Sequence, residues 1–221
     1  MNITNDIISA YIENLYTNRN EELLELRGFA EQNHVPIIMK DTEGLLKTLM
    51  KLKKPAHVLE IGTAVGYSSC VFADACGCQV TTVETNEEMA DIAEENIRNF
   101  GLDNKINVVR GDARDLLRQL QNLTESEEKG QFDIVFIDAA KSHYRDFWDL
   151  SLPLLTNEGV IICDNVLQKG MTASDEFDTK KRYKTSIKKM REFLIYINGL
   201  ENVETTVLPV GDGVSVSVIN K

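Results

Sequence analysis

The sequence lacks any apolar run that approaches the roughly 18 residues needed to cross a membrane. Its first residues, Met1 to Asp6, also lack the basic and apolar segments of a secretory signal. Cysteine is scarce, at 4 residues in 221, and the spacing of Cys76 and Cys78 differs from a Cys-x-x-Cys redox or zinc site. These absences predict a cytoplasmic protein, not associated with a membrane, whose cysteines are reduced and structural.

Positive charge is in deficit, because 24 Lys and Arg stand against 35 Asp and Glu and give a formal net charge of −11. The chain as a whole should therefore repel nucleic acid and anionic membranes, although this total does not exclude a local basic surface. A length of 221 residues with 43% hydrophobic content can bury one sizeable core. We expect a single domain over residues 1–221, in which residues 1–52 form N-terminal helices that act as a lid or as a dimer contact.

The rest of the pattern is organised around residues 58–69, where a short apolar run ends in Gly62 and a helical pattern begins after Gly66. A strand, a tight loop and a helix in this order are typical of the start of an open α/β sheet. Ligands of such sheets bind at the carboxyl ends of the strands. Glycine lets the backbone approach a ligand closely, and the free N–H groups of a helix start favour an anionic group. We therefore expect a nucleotide-like cofactor here.

Strand and helix patterns alternate along most of the remaining sequence. The predicted strands are 57–61, 79–84, 106–110, 132–137, 159–163, 203–208 and 213–219. The predicted helices are 4–17, 20–33, 42–52 with Asp41 as its cap, 67–76, 87–100, 113–122, a segment near 143–152, and 180–197. The plan is a Rossmann-like, doubly wound α/β sheet of about seven strands, mostly parallel, with an antiparallel C-terminal hairpin.

Acidic residues lie at the ends of consecutive predicted strands, which places their side chains along one edge of the sheet. Glu84 follows the glycine loop by about 20 residues, where a carboxylate accepts hydrogen bonds from ribose hydroxyls. Asp112 follows the third strand, where a purine amino group could be held. Each also has a structural alternative, because Glu84 could supply negative charge to a helix start and Asp112 could cap the helix over 113–122.

Asp138, Asp164 and Asn165 offer three hard oxygen ligands at the ends of the fourth and fifth strands, which suits Mg²⁺ or Ca²⁺ better than zinc. The structural alternative is a set of solvated carboxylates beside a turn-forming Asp-Asn pair. Lys141 lies three residues beyond Asp138, and an ammonium beside a cation loses its proton more readily, so we expect it to act as a general base. His143 is the rival base, or it faces substrate or packs.

Together, the glycine loop after Glu60, Glu84, Gly111-Asp112-Ala113, Asp138-Ala-Ala-Lys141 and Asp164-Asn165-Val166 resemble the cation-dependent O-methyltransferases that use S-adenosylmethionine (SAM), of the catechol and caffeoyl-coenzyme A type. The resemblance runs from about Val35 to the C-terminus. It implies a class I fold and transfer of a methyl group to a hydroxyl bound to Mg²⁺ or Mn²⁺. Ala139-Ala140 replace the histidine and tryptophan of the catechol enzyme, which implies a more open site.

Carried onto this sequence, the resemblance assigns cofactor contacts, metal ligands and a base. The implied cofactor-binding residues are Met39, Glu60, Gly62, Ser68, Glu84, Asp112, Ala113 and Asp138. The implied metal ligands are Asp138, Asp164 and Asn165, and Lys141 is the implied catalytic base. A homodimer is also implied by the family likeness.

Within the family, the sequence is similar to bacterial enzymes that methylate 5-hydroxyuridine in tRNA, in His34-Val-Pro36, Asp164-Asn-Val-Leu167 and Leu208-Pro-Val-Gly-Asp-Gly213. This likeness implies 5-methoxyuridine as the product. An independent indication is a basic stretch that could bind phosphates or could be the solvated face of a helix. Its members are Lys169, Lys180, Lys181, Arg182, Lys184, Lys188, Lys189 and Arg191.

Three other functions fit parts of the pattern. A small-molecule methyltransferase acting on catechols or other vicinal diols would use the same residues. A nicotinamide dehydrogenase would need the third glycine of G-x-G-x-x-G, which is not in register after Gly62 and Gly66. A non-catalytic nucleotide-binding module would leave the metal and base residues without a role.

Overall fold

A computed structural model of the chain describes residues 4–17, 19–124, 131–178 and 183–220. Seven strands in these ranges form one sheet with the order β3-β2-β1-β4-β5-β7-β6. The strands are β1 His57–Ile61, β2 Gln79–Glu84, β3 Ile106–Arg110, β4 Phe132–Ile137, β5 Leu155–Cys163, β6 Val203–Leu208 and β7 Val214–Ile219. Only β7 runs antiparallel to its two neighbours. The predicted mostly parallel α/β sheet with an antiparallel C-terminal hairpin is therefore confirmed.

Helices cover both faces of this sheet. They are α1 Asp6–Leu15, α2 Glu21–Gln32, α3 Lys40–Lys53, α4 Tyr67–Cys76, α5 Glu87–Asn99, α6 Ala113–Thr124, α7 Tyr144–Ser151 and α8 Lys184–Asn198. Short 3-10 turns occupy Lys141–His143, Leu152–Leu154 and Asp175–Phe177. The predicted residues 180–182 of the last helix and most of the polar loop 124–130 lie outside the described residues.

Two boundaries differ from the sequence prediction for identifiable reasons. Helix α3 begins at Lys40, and no side chain caps it at Met39, so the prediction that Asp41 is the cap was wrong. The Asp41 carboxylate instead accepts a hydrogen bond from Thr42 N at 2.8 Å. It accepts another, also at 2.8 Å, from the N–H of Gly211, which lies in the loop between β6 and β7. Strand β5 starts four residues before its predicted first residue. Leu155 already pairs with Phe132, ahead of the point where the register between β4 and β5 shifts.

The hydrophobic core is divided between the two faces of the sheet. Consecutive residues of β4 belong to different faces: Ile134 and Phe136 pack with α3 and α4, whereas Val135 and Ile137 pack with α6, α7 and α8. Strands buried on both faces in this way are characteristic of α/β sheets. The single tryptophan, Trp148, is fully buried on the second face against Phe193.

The N-terminal helices differ in how deeply they pack. Helix α2 buries Leu23, Leu26, Arg27 and Ala30. Helix α1 leaves a large apolar surface in contact with solvent, formed by Ile7, Ile8, Tyr11, Ile12 and Leu15. A lid and a dimer contact both remain predictions for this surface. Within the described ranges, no helix combines the length and hydropathy that a membrane span requires.

Candidate active site

The main cleft lies where the loops after β1, β2, β3 and β4 meet, at the carboxyl edge of the parallel strands. Its volume is about 590 Å³, which is within the range of sites for small molecules and cofactors. The segment 36–38 closes one side of the cleft, and the turn carrying Lys141 and His143 closes another. The position at the strand ends agrees with the sequence prediction.

The glycine turn between β1 and α4 brings two chain segments into close contact. Gly62 has a φ of +103°, and a Cβ built there would lie 2.0 Å from the carbonyl oxygen of Asp138. Gly66, with a φ of +80°, ends the turn, and no side chain caps the start of α4. The first N–H groups of α4 are therefore open to a ligand at the cleft, as expected for a site that binds a polar cofactor.

Glu84 joins two of the loops that form the cleft. Its Oε2 accepts a hydrogen bond from Ala64 N at 2.9 Å, and its Oε1 accepts one from Asn86 N at 2.9 Å. The side chain that caps α5 is Asn86, which accepts from Met89 N at 3.1 Å. Glu84 thus lies in the cleft wall, and because it also accepts from Asn86 N, its carboxylate lies at the start of α5 as the structural alternative predicted.

Asp112 acts as a helix cap and also lines the cleft. Its Oδ1 accepts a hydrogen bond from the backbone N of Arg114 at 2.8 Å, and the Arg114 guanidinium contacts both carboxylate oxygens, at 3.0 Å and 2.5 Å. The side-chain hydrogen bond from Arg114, supported by the backbone one, lowers the pKa of Asp112 to about 2. Ala113 and Arg114 lie in the same wall.

Glu60 lies behind the wall rather than in it. Its carboxylate is fully buried and accepts hydrogen bonds from the hydroxyls of Ser68, Ser69 and Thr82. Burial raises the pKa of Glu60 to about 7, against the opposing effect of these three donors. Ser68 itself lines the cleft, so Glu60 orients a residue of the wall.

Six of the eight predicted cofactor residues therefore form the cleft wall, and Glu60 and Met39 do not. The six are Gly62, Ser68, Glu84, Asp112, Ala113 and Asp138. Met39 is half-buried and precedes α3 next to Ile38, which does line the cleft. Direct contact of Glu60 and Met39 with a cofactor remains a prediction.

Two of the three predicted metal ligands, Asp138 and Asn165, line the other end of the cleft, whereas Asp164 is 1% exposed and does not line it. Asp138 N donates to Ile61 O and Asp164 N donates to Ile137 O, both at 3.0 Å, so neighbouring strands β1, β4 and β5 set these two residues side by side. Asn165 has a φ of +55°, and its Oδ1 accepts a hydrogen bond from Lys141 Nζ at 3.2 Å. The arrangement brings Asp138, Asp164, Asn165 and Lys141 to one edge of the site.

The electrostatics of this cluster suit a cation. Burial raises the pKa of Asp138, and burial together with the charge of Asp138 raises the pKa of Asp164 well above its usual range. The Lys141 ammonium opposes both shifts. No group in the part of the chain that the structure describes donates a hydrogen bond to the Asp138 carboxylate, whereas Asp164 Oδ1 accepts one from Asn165 N at 2.7 Å.

Within the described residues, no group of three or more His, Cys, Asp or Glu side chains is arranged to hold a metal. The predicted set contains two aspartates, with an asparagine as its third member. Two carboxylates and an amide oxygen still match the ligand preference of Mg²⁺ or Mn²⁺. The Asp138 carboxylate, which accepts no hydrogen bond from the described residues, has its oxygens available for a metal ion. The residues present therefore fit a divalent cation.

Sequence reasoning did not identify one residue near the cluster as part of the site. Asp212, in the loop between β6 and β7, accepts a hydrogen bond from Lys169 N, and the charge of Lys141 acts on its carboxylate. The Gly-Asp-Gly turn is the sequence signal that marks it. His143 lines the cleft, its Nδ1 lies 3.5 Å from Asp146 Oδ2, and its ring centroid lies 6.1 Å from that of Phe147, so it packs as one of its predicted alternatives has it, whereas a role as base or substrate contact remains a prediction.

The structure describes only part of the basic stretch, because Lys180, Lys181 and Arg182 lie outside the described residues. Arg191 is engaged within the fold, donating to the carbonyls of Thr172 and Met171 and to Asp175. Lys189 Nζ donates to Ser142 O at 3.2 Å, which places it against the turn that carries Lys141. One member of the stretch thus lies beside the cleft.

Comparison with known proteins finds relatives over most of the chain. Residues 13–219 match the family described as O-methyltransferase. The catechol O-methyltransferase of Niastella koreensis is 29% identical, with 96% of each chain covered. The caffeoyl-CoA O-methyltransferase of Populus kitakamiensis is 28% identical, with 93% of this chain and 89% of the relative covered. An O-methyltransferase from Bacillus cereus, crystallised in complex with SAH, superposes with a TM-score of 0.80 at 28% identity and covers 97% of both chains.

Proposed function

The chain belongs to the O-methyltransferase family and is a SAM-dependent enzyme of class EC 2.1.1.-, and we propose that it methylates a hydroxyl group held at a divalent cation beside Asp138, Asp164 and Asn165. The observation that carries this proposal is that Asp138, Asn165 and Lys141 line one edge of the same cleft as the glycine turn, with Asp164 buried next to Asn165 at the end of β5. A dehydrogenase would leave this cluster without a function.

The cofactor half of the cleft is built to hold a charged, nucleoside-like donor. SAM supplies a methyl group on a positively charged sulfur. Glu84 is fixed by two backbone N–H groups and keeps further lone pairs for ribose hydroxyls. Asp112 is held as an anion by Arg114, and the acidic wall favours a cationic ligand.

The acceptor half combines ligands and a base. A bound Mg²⁺ or Mn²⁺ would lower the pKa of the acceptor hydroxyl and hold it in position. Lys141 Nζ, 3.2 Å from Asn165 Oδ1, is placed to take the hydroxyl proton. His143 also lines the cleft, but its Nδ1 lies 3.5 Å from Asp146 Oδ2 on α7, which directs it away from the acceptor. We therefore assign Lys141 as the base.

For the acceptor we propose 5-hydroxyuridine in tRNA, which would become 5-methoxyuridine. Three features support this substrate: the similarity of the His34-Val-Pro36 and Leu208–Gly213 segments to enzymes of that kind, the small Ala139-Ala140 pair in the wall, and Lys189 beside the Lys141 turn. A phosphate backbone passing the mouth of the cleft would meet Lys189 and Arg114.

A small vicinal diol is the second candidate acceptor. The named activities of the relatives from Niastella koreensis and Populus kitakamiensis support it, since catechol and caffeoyl groups carry adjacent hydroxyls. The same Asp138, Asp164 and Asn165 oxygens would serve either acceptor, so the two candidates differ in what approaches the cleft and not in the chemistry.

The role of the cation is tested by removing it. We expect methyl transfer to fall to background in EDTA-treated protein and to return with Mg²⁺ or Mn²⁺. In Asp164→Asn, added Mg²⁺ or Mn²⁺ should restore less methyl transfer than in the unaltered protein. The rise in melting temperature that metal binding produces should also be lost. Full activity in metal-free protein would contradict the proposal.

The acceptor is tested by a direct comparison of hypomodified tRNA with a panel of catechols. If tRNA is the substrate, Lys189→Gln should raise the KM for tRNA and make it less dependent on salt, with little effect on a small diol. The matched control is Lys51→Gln, an exposed lysine on α3. Turnover of catechols alone would establish the second candidate.

A further inference from the structure

One wall of the cofactor cleft has no regular secondary structure. Pro36, Ile37 and Ile38 line the cleft within a segment that connects α2 to α3. Backbone hydrogen bonds hold the two ends of this segment, from Val35 N to Ala30 O at 2.9 Å and from Glu43 N to Met39 O at 2.8 Å. Between these points, the carbonyl of Ile38 accepts a hydrogen bond from a side chain, Arg27 Nη2, at 2.9 Å.

Arg27 reaches a second part of the wall as well. It lies on α2 with only 4% of its surface exposed. Its Nε donates to the hydroxyl of Tyr67 at 3.1 Å, and its guanidinium lies 4.8 Å from the centroid of the Tyr67 ring. Tyr67 is the first residue of α4, directly after the glycine turn, and lines the cleft. A single guanidinium therefore fixes the 36–38 segment relative to the glycine turn.

A buried glutamate completes the network. Glu43 on α3 is fully buried and accepts hydrogen bonds from Arg27 Nη2 and from the Tyr67 hydroxyl, both at 2.7 Å. The hydroxyl of Tyr16, which follows α1, also donates to Glu43. The network thus links α1, α2, α3 and α4 behind the cofactor cleft. Planar guanidinium groups suit such buried, multiply bonded positions better than a lysine does.

Removing one partner of a buried, hydrogen-bonded charge pair is strongly unfavourable, so the surrounding segments must move if the guanidinium is lost. No backbone–backbone hydrogen bond in the described part of the chain involves residues 36–38, so this segment is free to respond. Asp138, Asp164, Asn165 and Lys141 follow β4 and β5, and within the described residues no hydrogen bond joins them to Arg27 or Tyr67. A change at Arg27 should therefore reach the cofactor half of the cleft before the acceptor half.

We propose that Arg27 is a positioning residue for the methyl donor: through the Ile38 carbonyl and the Tyr67 hydroxyl it holds two walls of the cofactor cleft at the separation that binding requires. Arg27 acts through these two residues. The inference rests on use of SAM or its product SAH, and it requires neither the proposed acceptor nor the proposed metal.

The test is calorimetric titration of SAH into the full chain without an acceptor. Arg27→Lys keeps the charge opposite Glu43 but cannot hold Ile38, Tyr67 and Glu43 together, so we expect the Kd to rise about tenfold. The KM for SAM should rise in parallel, while kcat at saturating SAM stays within about twofold because the base and the metal ligands are untouched.

Two controls separate positioning from general loss of stability. Leu117→Val shortens a fully buried side chain on the opposite face of the sheet and should lower the melting temperature without changing the affinity for SAH. Tyr16→Phe removes one donor to Glu43 but leaves both wall contacts of Arg27, so affinity should again be unchanged.

If Arg27→Lys does not fold, Tyr67→Phe provides the second measurement, because it removes the hydroxyl that Arg27 bonds and keeps the ring. We expect its Kd for SAH to rise about threefold. An unchanged Kd in the folded variants overturns the inference, as does an equal loss of affinity in Leu117→Val. Failure of the unaltered protein to bind SAH would instead overturn the assignment of the cofactor, and the inference with it.

Discussion

Gly62 lies at a position of the site that has no room for a side chain. Its φ of +103° is unfavourable for any other residue, and a Cβ would lie 2.0 Å from the backbone oxygen of Asp138. We expect Gly62→Ala to destabilise the fold by about 3 kcal/mol or more, since backbone strain and a backbone clash add. Urea unfolding measures the difference.

Gly77→Ala is the matched control for this change. Gly77 also has a positive φ, of +70°, but a Cβ there would have nothing within 4 Å. Only the conformational strain should remain, about 1 kcal/mol. Equal effects of the two substitutions would show that contact with Asp138 does not constrain the glycine turn.

Glu60 should make stability depend on pH. Burial raises its pKa from 4.5 to about 7, so the native state binds a proton that the unfolded state releases. The stabilisation is complete below pH 4.5 and is lost as the pH rises through about 7. Over this window the free energy of unfolding should fall by roughly 3 kcal/mol relative to Glu60→Gln, which cannot titrate.

The measurement is urea unfolding of both proteins without cofactor at several values between pH 5 and pH 8. Comparison of the two removes the contribution of Asp138 and Asp164, which titrate in both. A constant difference between them would mean that Glu60 is already ionised throughout this range.

At the scale of elements, α3 and the β6–β7 loop are coupled through Asp41. Asp41→Ala removes the acceptor of Gly211 N, a hydrogen bond of 2.8 Å between residues 170 positions apart. The expected loss of stability is about 1–2 kcal/mol, because a charge-assisted hydrogen bond is broken and a backbone N–H is left without its partner.

Thermal or urea unfolding checks this value against Glu201→Ala, which removes the same charge from an exposed turn and should change stability by less than about 0.5 kcal/mol. If both substitutions have the same small effect, Asp41 does not tie the loop to the helix.

The elements that the sequence predicted well are those set by local patterns. Short apolar runs predicted β1, which is followed by Gly62, and β4, which is followed by Asp138, and the shared edge of a parallel sheet predicted that Asp138 and Asp164 would follow neighbouring strands. Contacts distant in sequence were not predictable. Asp41 looked like a cap because Gly211 is far away in the chain, and nothing in the sequence indicated that Arg27 and Glu43 pair in the interior.

The site shows the same division. The side chains that follow strands were placed at the cleft by their position alone. Whether a side chain faces the cleft or turns beneath it depends on packing, and Glu60 turned inward because Ser68, Ser69 and Thr82 offer it three hydroxyls. The orientation of the Glu60 side chain depends on its neighbours in the folded structure, and the spacing of residues in the sequence does not indicate it.

At the scale of the whole molecule, both core faces depend on the same sheet. Since neighbouring residues of β4 belong to opposite faces, neither face can open without exposing the other. We therefore expect one cooperative unfolding transition, consistent with the predicted single domain. Fluorescence of Trp148, the only tryptophan, reports one face, whereas far-UV circular dichroism reports all helices and strands.

The two probes should give the same urea midpoint. Fluorescence and circular dichroism curves that separate by more than the fitting error would indicate two independently folding units and contradict the single-domain expectation.

The position of β7 between β5 and β6 has a consequence for synthesis of the protein. A nascent chain that has not yet passed residue 214 leaves the apolar strand β5 with an open edge, because β7 is the strand that covers it. Open edges of this kind pair readily with other polypeptides. Ribosomes must therefore complete nearly the whole sheet before it is protected, and premature termination within the final hairpin would yield aggregation-prone fragments instead of partly active enzyme.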